Sequence, residues 1–358
     1  MSLYWSQWMG QYWNSADIAW LIKDWNVSIV RAAMGVYAGG YLENPDAQKA
    51  LVNTVVQACI DQGIYVIIDW HLSNQDPNVN AAKPFFSEMA AQWGSYDNVI
   101  FEDYNEPGPQ PWSNVKSYHE QVVPEIRAHT NNLIICGTPS WSQDVDEAAS
   151  DPVSGTNIAY TLHFYAATHK QSLRDKANTA LGRGIAIFIT EWGTCEASGT
   201  GTLDLGSSQT WVDWAQQSGI GGMCNWAIED KAETCAALNA GASGNGGWPT
   251  SQLTSSGNWV RNFIRGGSPP PPPPGKTGCC SWDGGKTCGI TTAYCKTNAS
   301  DCASCKGSWV TYDHGCCSWD YGTTCGPTTS YCETNDADCE NCKGRWAPNK
   351  SSSSQFLA

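Results

Sequence analysis

Across residues 1–265, short apolar runs alternate with longer helical patterns, and that rhythm limits the chain to very few architectures. The strand candidates are 27–32, 65–69, 98–104, 133–137, 157–163, 185–190 and 222–227, with helical stretches such as 46–62, 113–129 and 207–218 between them. Strands that alternate with helices over such a length form a parallel sheet covered by helices. Seven strands are visible, and an eighth is expected around residues 2–6. A doubly wound open sheet shares this alternation, but no Gly-rich phosphate loop follows the first strand. The expected fold is therefore α/β, a (β/α)8 TIM barrel, which needs about 250 residues.

The barrel segment ends at Gly266-Gly267-Ser268, followed by six prolines at 269–274. A proline run adopts an extended polyproline II rod, so 266–276 reads as a semi-rigid Gly/Pro-rich linker. A proline-rich recognition motif is the alternative, but a run between two ordered-looking regions is more simply a spacer. Behind it lies a gapless repeat with an offset of 37 residues: Gly278-Cys279-Cys280-Ser281-Trp282-Asp283 recurs as Gly315-Cys316-Cys317-Ser318-Trp319-Asp320. The same offset carries Cys288, Cys295, Cys302 and Cys305 onto Cys325, Cys332, Cys339 and Cys342. Each unit, 277–312 and 313–348, thus holds six cysteines in a length too short to bury a core, and disulfides are the natural staple. Zinc is the rival, since Cys302-x-x-Cys305 and Cys339-x-x-Cys342 have ligand spacing. Neighbouring cysteines, an even six per unit and no histidine in the repeated core favour disulfides, whose connectivity the sequence leaves open. Residues 349–358 are expected to be disordered.

Disulfides at this density imply an oxidising compartment, hence a secreted, extracellular protein. The chain shows no charged and apolar leader and no run of about 18 apolar residues, so neither a signal peptide nor a membrane span is expected in it. Five cysteines remain in the barrel segment: Cys136 and Cys224 lie in apolar runs as buried thiols, and Cys195 with Cys235 is a candidate bridge beside Cys59. Residues 266–358 hold seven Lys/Arg and eight Asp/Glu, leaving −13 of the net −14 on residues 1–265. So acidic a barrel repels phosphate backbones, which excludes nucleic acid as the expected partner and leaves neutral polymers acceptable. The 19 Trp and 14 Tyr supply flat faces that suit sugar rings, although Trp also fills large cores. A monomer is the expected form.

In such a barrel the working groups sit at the C-terminal ends of strands. Reading down those ends gives Arg31, His71, Asn105-Glu106, His163 with Tyr165, Glu191 and Trp226. Each alone has a dull explanation: Arg31 pairing with a helix acid, His71 satisfied in the core, Glu106 and Glu191 two among 34 acids. Together they resemble a barrel-mouth site. Two carboxylates facing one bond are the machinery of glycoside hydrolysis, one holding a proton and the other ionised for attack. Asn105 can hydrogen-bond a sugar hydroxyl, while His163, Tyr165 and Arg31 can orient Glu191 and keep it anionic. No metal-ligand cluster is apparent in this segment, so no cofactor is expected.

These positions carry a family resemblance. The matching segments are Ser6-Gln7-Trp8, Val30-Arg31-Ala32-Ala33-Met34, Gly39-Gly40-Tyr41 and Tyr65-Val66-Ile67-Ile68-Asp69-Trp70-His71. They continue with Asn105-Glu106-Pro107, Gly137-Thr138-Pro139-Ser140-Trp141-Ser142-Gln143-Asp144, Leu162-His163-Phe164-Tyr165 and Arg174-Asp175-Lys176-Ala177. Thr190-Glu191-Trp192-Gly193-Thr194 and Asn225-Trp226 through Asp230-Lys231 complete the set. On them the chain resembles the family 5 glycoside hydrolases, specifically the bacterial-type and nematode-type endo-β-1,4-glucanases. The resemblance implies Glu106 as acid/base and Glu191 as nucleophile of a retaining mechanism, with Arg31, His71, Asn105, His163, Tyr165 and Trp226 at the other active-site positions. It further implies substrate contacts at Trp8, His71, Trp141, Ala197, Ser198, Trp226, Lys231 and Glu233. The implied partner is a β-glucan, cellulose or mixed-linkage, with a mannanase or xylanase of the same fold as the alternative. Tyr4, Met9 and Gly35 depart from the residues common in relatives (His, Tyr and Tyr), so sugar contacts on the non-reducing side are expected to be rearranged.

The repeats resemble the small cysteine-rich modules appended to secreted polysaccharide-degrading enzymes. Their aromatics Trp282, Tyr294, Trp309, Trp319, Tyr331 and Trp346 are candidates for stacking on a polymer, or each module's small core. Docking to a scaffold protein is the alternative to polysaccharide binding.

Overall fold

The computed structural model describes residues 1–266 and, beyond them, six short backbone strands. Contacts divide the chain into two compact units, Met1–Pro269 and Pro270–Ala358.

The first unit is the barrel. Its strands are β1 (Ile29–Gly35), β2 (Tyr65–His71), β3 (Val99–Glu102), β4 (Ile134–Cys136), β5 (Ile158–Tyr165), β6 (Ala186–Gly193) and β7 (Met223–Asn225). They form one parallel sheet in sequential order β1 to β7. The N-terminal segment closes it: Ser2 bridges to Arg31 of β1 and Leu3 bridges to Ile228 just past β7. The eighth strand is where the sequence suggested, and it is short. Closure leaves no free sheet edge.

The helices are α1 (Ser15–Trp25), α2 (Pro45–Gln62), α3 (Val79–Trp93), α4 (Trp112–Arg127), the single turn α5 (Pro139–Ser142), α6 (Val145–Ser150), α7 (Gln171–Gly182), α8 (Leu205–Gln217) and α9 (Ser255–Ile264). Their ends follow local chemistry. The Asn14 side chain accepts hydrogen bonds from the backbone N–H of Ala16 and Asp17, which caps α1. α2 opens on Pro45 and stops at Gly63, whose φ of 69° a residue with a Cβ rarely adopts.

Strand alternation sorts side chains between two cores. Val30, Ala32, Met34, Val66, Ile68, Trp70, Phe101, Leu162 and Phe164 point outward and join the helix faces in the main hydrophobic cluster. Ile67, Ile100, Ile135, Ala159, Phe188 and Cys224 pack together as a separate buried cluster inside the barrel. In the same strands, two residues nearer the C-terminal ends, the lining turns polar: Arg31, Asp69, Glu102 and Thr161 are all fully buried. The strands thus carry an apolar floor beneath a charged layer.

Cys195 and Cys235 are disulfide-bonded, while Cys59, Cys136 and Cys224 are free and buried. In the second unit, β8 (Thr277–Ser281) pairs antiparallel with β10 (Ser308–Tyr312), and β11 (Cys316–Ser318) pairs with β13 (Arg345–Ala347). The registers Cys280↔Trp309 and Cys317↔Trp346 are the same positions 37 residues apart, so the sequence repeat is a backbone repeat as well. β9 (Cys288–Gly289) pairs with β12 (Thr324–Cys325) across the two repeats. Trp282, Tyr294, Trp319 and Tyr331, the linker residues 267–276 and the tail 349–358 lie outside the described residues.

Candidate active site

The C-terminal ends of the strands converge on one cleft of about 530 Å³. Eleven of the fourteen site residues expected from sequence line it: His71, Asn105, Glu106, Trp141, His163, Tyr165, Glu191, Ala197, Ser198, Trp226 and Glu233. Three do not. Arg31 lies beneath the floor, fully buried, and acts on the cleft only through its partners. Trp8 stands at the rim, 51% exposed, tilted against Trp5 with centroids 5.1 Å apart. Lys231 sits behind the wall, paired with Glu233 and donating to the Tyr4 hydroxyl at 3.1 Å.

Backbone irregularity brings the two glutamates into play. Glu106 lies beyond β3, where its N–H donates to Leu72 O at 3.2 Å and its carbonyl accepts from Asn74 N at 2.9 Å, holding it against the end of β2. On the other side, β6 shifts register against β5 between Phe188 and Glu191 and against β7 between Ile189 and Trp192. A bulge lets two successive residues face the same side, so both Thr190 and Glu191 reach interior partners. A carboxylate oxygen of Glu106, one of Glu191 and a ring nitrogen of His163 all lie within 4.8 Å of one another.

Hydrogen bonds give the two carboxyls different characters. Glu191 accepts from Tyr165 Oη at 2.7 Å and from Arg31 Nη1 at 2.9 Å, which fix its carboxylate in place. Glu106 accepts from Ser73 Oγ at 2.7 Å and meets His163 Nδ1 at 3.0 Å. Burial raises the Glu106 carboxyl to about 7, a shift that Ser73 and Arg31 only partly offset. Burial also lowers His163 to about 4, so its ring is neutral near pH 7. Tyr165 is pushed up by burial and by Glu191, and it stays a donor.

Under the cleft, Arg31 is the hub of a charged layer. Its Nε and Nη2 hold Glu102 at 2.7 and 3.2 Å, Nη2 also meets Asp69 at 2.9 Å, and Asn105 Oδ1 accepts from Nη2 at 2.5 Å. Asn105 Nδ2 donates to Leu72 O at 3.1 Å, so the amide expected to meet sugar is already anchored at both ends, with one N–H left over. Asp69 is raised to about 8 and Glu102 to about 7 by burial, against the pull of Arg31. Asp69 Oδ2 also meets His71 Nδ1 at 2.7 Å, and His71 stacks on Trp226 with centroids 5.0 Å apart.

Sequence reasoning did not single out Asp69, Glu102, Thr190, Ser73, Trp5, Gln143, His169 or Gly199, all of which lie in the charged layer or line the cleft. Asp69 and Glu102 were findable in principle, as acids inside otherwise apolar strands. Nor was a metal-type cluster foreseen. Besides Glu106, His163 and Glu191, the donors of Asp103, His119 and Cys136 come within 4.8 Å of one another. In both groups the histidine nitrogens are taken by protein partners: His119 by Asp103 and Gly137 O, His163 by Glu106 and Thr190. At Gly35, where relatives commonly carry Tyr, a Cβ would meet the far end of the Gln7 side chain at 1.9 Å, so a larger residue there requires Gln7 to move.

Trp141 owes its place to a strained turn. Ser140, Trp141 and Ser142 all have left-handed φ between 56 and 58°, which costs each roughly 1–2 kcal/mol. The turn is clamped to the Glu106 segment: Trp141 N–H donates to Pro107 O at 2.8 Å and Ser142 Oγ to Asn105 O at 2.7 Å. Trp141 is left 39% exposed on the cleft wall.

Comparison with known proteins accords with this geometry. The family model for cellulase (glycosyl hydrolase family 5) matches residues 1–232. The chain is 50% identical over 272 residues to an endoglucanase of Clostridium saccharobutylicum, covering 74% of this chain and 60% of that protein. It is 47% identical to endoglucanase A of Evansella cellulosilytica, of which it covers 55%, so it spans somewhat over half the length of these relatives. Among solved structures, one from Cytophaga hutchinsonii superposes with a TM-score of 0.73 at 50% identity, over 74% of this chain and 87% of that one. The catalytic domain of Thermobifida fusca endoglucanase Cel5A, solved with cellotetraose, gives 0.71 at 31% identity, over 74% and 90%. The chain belongs to the cellulase family, glycosyl hydrolase family 5.

Proposed function

We propose that this chain is a secreted retaining endo-β-1,4-glucanase that cleaves internal bonds of cellulose or mixed-linkage glucan. The observation that carries the reading is the approach of Glu106 and Glu191, whose carboxylate oxygens come within 4.8 Å. Retaining glycosidases hold their two carboxyls about 5–5.5 Å apart, whereas inverting enzymes leave about 6.5–9.5 Å for a water. Glu106, protonated at working pH because burial raises it to about 7, donates its proton to the glycosidic oxygen. Glu191, held by Tyr165 and Arg31, attacks the anomeric carbon and forms the glycosyl ester. Glu106, now a carboxylate, takes a proton from the water that cleaves that ester, and both groups return to their starting state. Trp226, Trp141 and Trp5 offer apolar faces along the cleft with Trp8 at its rim, and Ala197, Ser198 and Glu233 also line it.

The Cys195–Cys235 disulfide supports an oxidising compartment, and among the described residues no helix is long and apolar enough to cross a membrane. For the repeats we infer polysaccharide binding: two tethered modules on one polymer gain avidity through effective concentration.

The mechanism is tested by the first product formed. Proton NMR of early hydrolysate should show the β-anomer ahead of mutarotation, and an initial α-anomer would end the double-displacement reading. Glu191→Gln should cost roughly 10³-fold or more in kcat, as expected for a missing nucleophile. Initial rates on carboxymethylcellulose, mannan and xylan assign the polymer, with the cellulose derivative expected to lead. Deleting residues 266–358 should leave rates on soluble glucan intact and weaken retention on insoluble cellulose, and unchanged retention would remove the binding role.

A further inference from the structure

A continuous line of hydrogen bonds runs from the cleft into the charged layer. Glu106 Oε1 meets His163 Nδ1 at 3.0 Å, His163 Nε2 meets Thr190 Oγ1 at 2.9 Å, and Thr190 Oγ1 meets Glu102 Oε1 at 2.6 Å. Every intermediate group is shielded from water: His163 is 1% exposed, and Thr190 and Glu102 are 0%. From Glu102 the line continues through Arg31 to Glu191.

Counting protons along the line leaves two arrangements. Thr190 has one hydrogen, and a neutral imidazole carries one N–H. If Thr190 donates to Glu102, it must accept from His163 Nε2–H, and the bare Nδ1 then needs a proton from Glu106. If Thr190 donates instead to Nε2, Glu102 must supply a proton to the Thr190 oxygen, and Nδ1–H points at an ionised Glu106. Thr161 Oγ1, in contact with Thr190 Oγ1, can donate to it in either case. One proton therefore belongs to Glu106 or to Glu102, and the line reports which.

We infer that Glu102 is a positioning residue that shares one proton with Glu106 through His163 and Thr190, and so sets how readily Glu106 gives and takes a proton during turnover. Passage from one arrangement to the other breaks Glu106 O–H and forms His163 Nδ1–H. It then breaks Nε2–H to form Thr190 O–H, and breaks the original Thr190 O–H to form Glu102 O–H. Three protons each move by one bond and the total charge is unchanged. The charged and titratable groups that face Glu102 are Arg31 from β1, Asp69 from β2, His163 from β5 and the Cys224 thiol from β7. Arg31 stabilises the ionised form, and the neighbouring acids oppose it. Burial raises both carboxyls at the ends of the line, to about 7.

The inference rests on Glu106 as acid/base, and the tests separate the two. In Glu102→Gln the amide oxygen faces the Arg31 donors and its NH2 faces Thr190. That locks Nδ1–H toward Glu106 and favours its carboxylate. The alkaline limb of kcat/KM on soluble mixed-linkage glucan should then move down by about one pH unit, a tenfold change in proton affinity. Removing a charge also acts through space, so the decisive step is a cycle with Thr190→Val. Most of the Glu102→Gln displacement should vanish in the Thr190→Val background and return with Thr190→Ser. A displacement of equal size in all three backgrounds overturns the relay. If Glu102→Gln does not fold, Thr190→Val alone should displace the limb and Thr190→Ser return it, and a limb indifferent to Thr190→Val overturns the relay as well. Glu106→Gln, assayed on 2,4-dinitrophenyl β-cellobioside so that turnover survives without an acid, should lose the alkaline limb. Its persistence there refutes Glu106 as acid/base, whereas a limb that is lost there but deaf to Glu102 and Thr190 refutes only the relay.

Discussion

Two glutamates of the same chemistry meet in one cleft with different neighbours, which is what the proposed division of labour rests on. Glu106 meets one hydroxyl, a neutral imidazole and little else, and burial lifts it to about 7. Glu191 accepts from a guanidinium and a phenol. Hydrolysis should therefore decline as pH rises through about 7, where Glu106 loses the proton it must donate. Ser73 donates to the Glu106 carboxylate and lowers it, so Ser73→Ala should move the alkaline limb of kcat/KM upward. A pH–rate profile checks both, and a downward displacement in Ser73→Ala would contradict the assignment. Glu106 and Glu191 were legible as polar residues at or just past apolar strands, whereas Arg31 lies early in β1, below the strand ends. Asp69 and Glu102 stood out only as acids in apolar runs, and they acquire meaning when Arg31 meets them across the barrel.

Regular alternation places His71, His163 and Tyr165, but the decisive positions lie where it breaks. The irregular pairing of β6 lets Thr190 and Glu191 face inward together, and three left-handed residues hold Trp141 over the Glu106 segment. Neither feature has a periodic signature, since both depend on partners distant in sequence. Ser142→Ala removes the hydroxyl that satisfies the buried Asn105 carbonyl, and it should cost about 1–3 kcal/mol in a denaturant titration. The Cys195–Cys235 bridge spans 40 residues and ties the loop after β6 to the one bearing Glu233, two parts of one cleft wall. A Cys195→Ser/Cys235→Ser double variant should lose about 2–4 kcal/mol. Because the bridge packs against Tyr165, which donates to Glu191, and against Trp226, its loss should alter both KM and kcat. Unchanged KM and kcat would show that the bridge serves stability alone.

The buried acids tie the stability of the whole barrel to pH. Asp69, Glu102, Glu106 and Glu229 are raised to about 8, 7, 7 and 9, so each keeps its proton in the folded state over a range where the unfolded chain has lost it. Where the folded state binds more protons, stability falls as pH rises. Below about 6.5 the buried histidines His163 and His169, both lowered to about 4, work in the opposite sense. Above it, among the described residues, the lowered Met1 amino group opposes, up to its usual 8.0. The melting temperature should therefore fall between about pH 6.5 and 9, and calorimetry showing a rise over that interval would exclude neutral buried carboxyls. The acidic surface that argued against nucleic acid belongs to this same unit, with −13 on residues 1–265.

Period, spacing and turn chemistry were enough to read the barrel, its short closing strand, the repeat and the strand ends that bring Glu106 and Glu191 to one cleft, since each is written within a few dozen residues of chain. The pairing of Arg31 with Asp69, Glu102 and Glu191, the bulge in β6, the clamp under Trp141 and the proton line to Glu102 were not readable that way. They arise where strands far apart in sequence meet, in an interior where burial makes each charge depend on its neighbours.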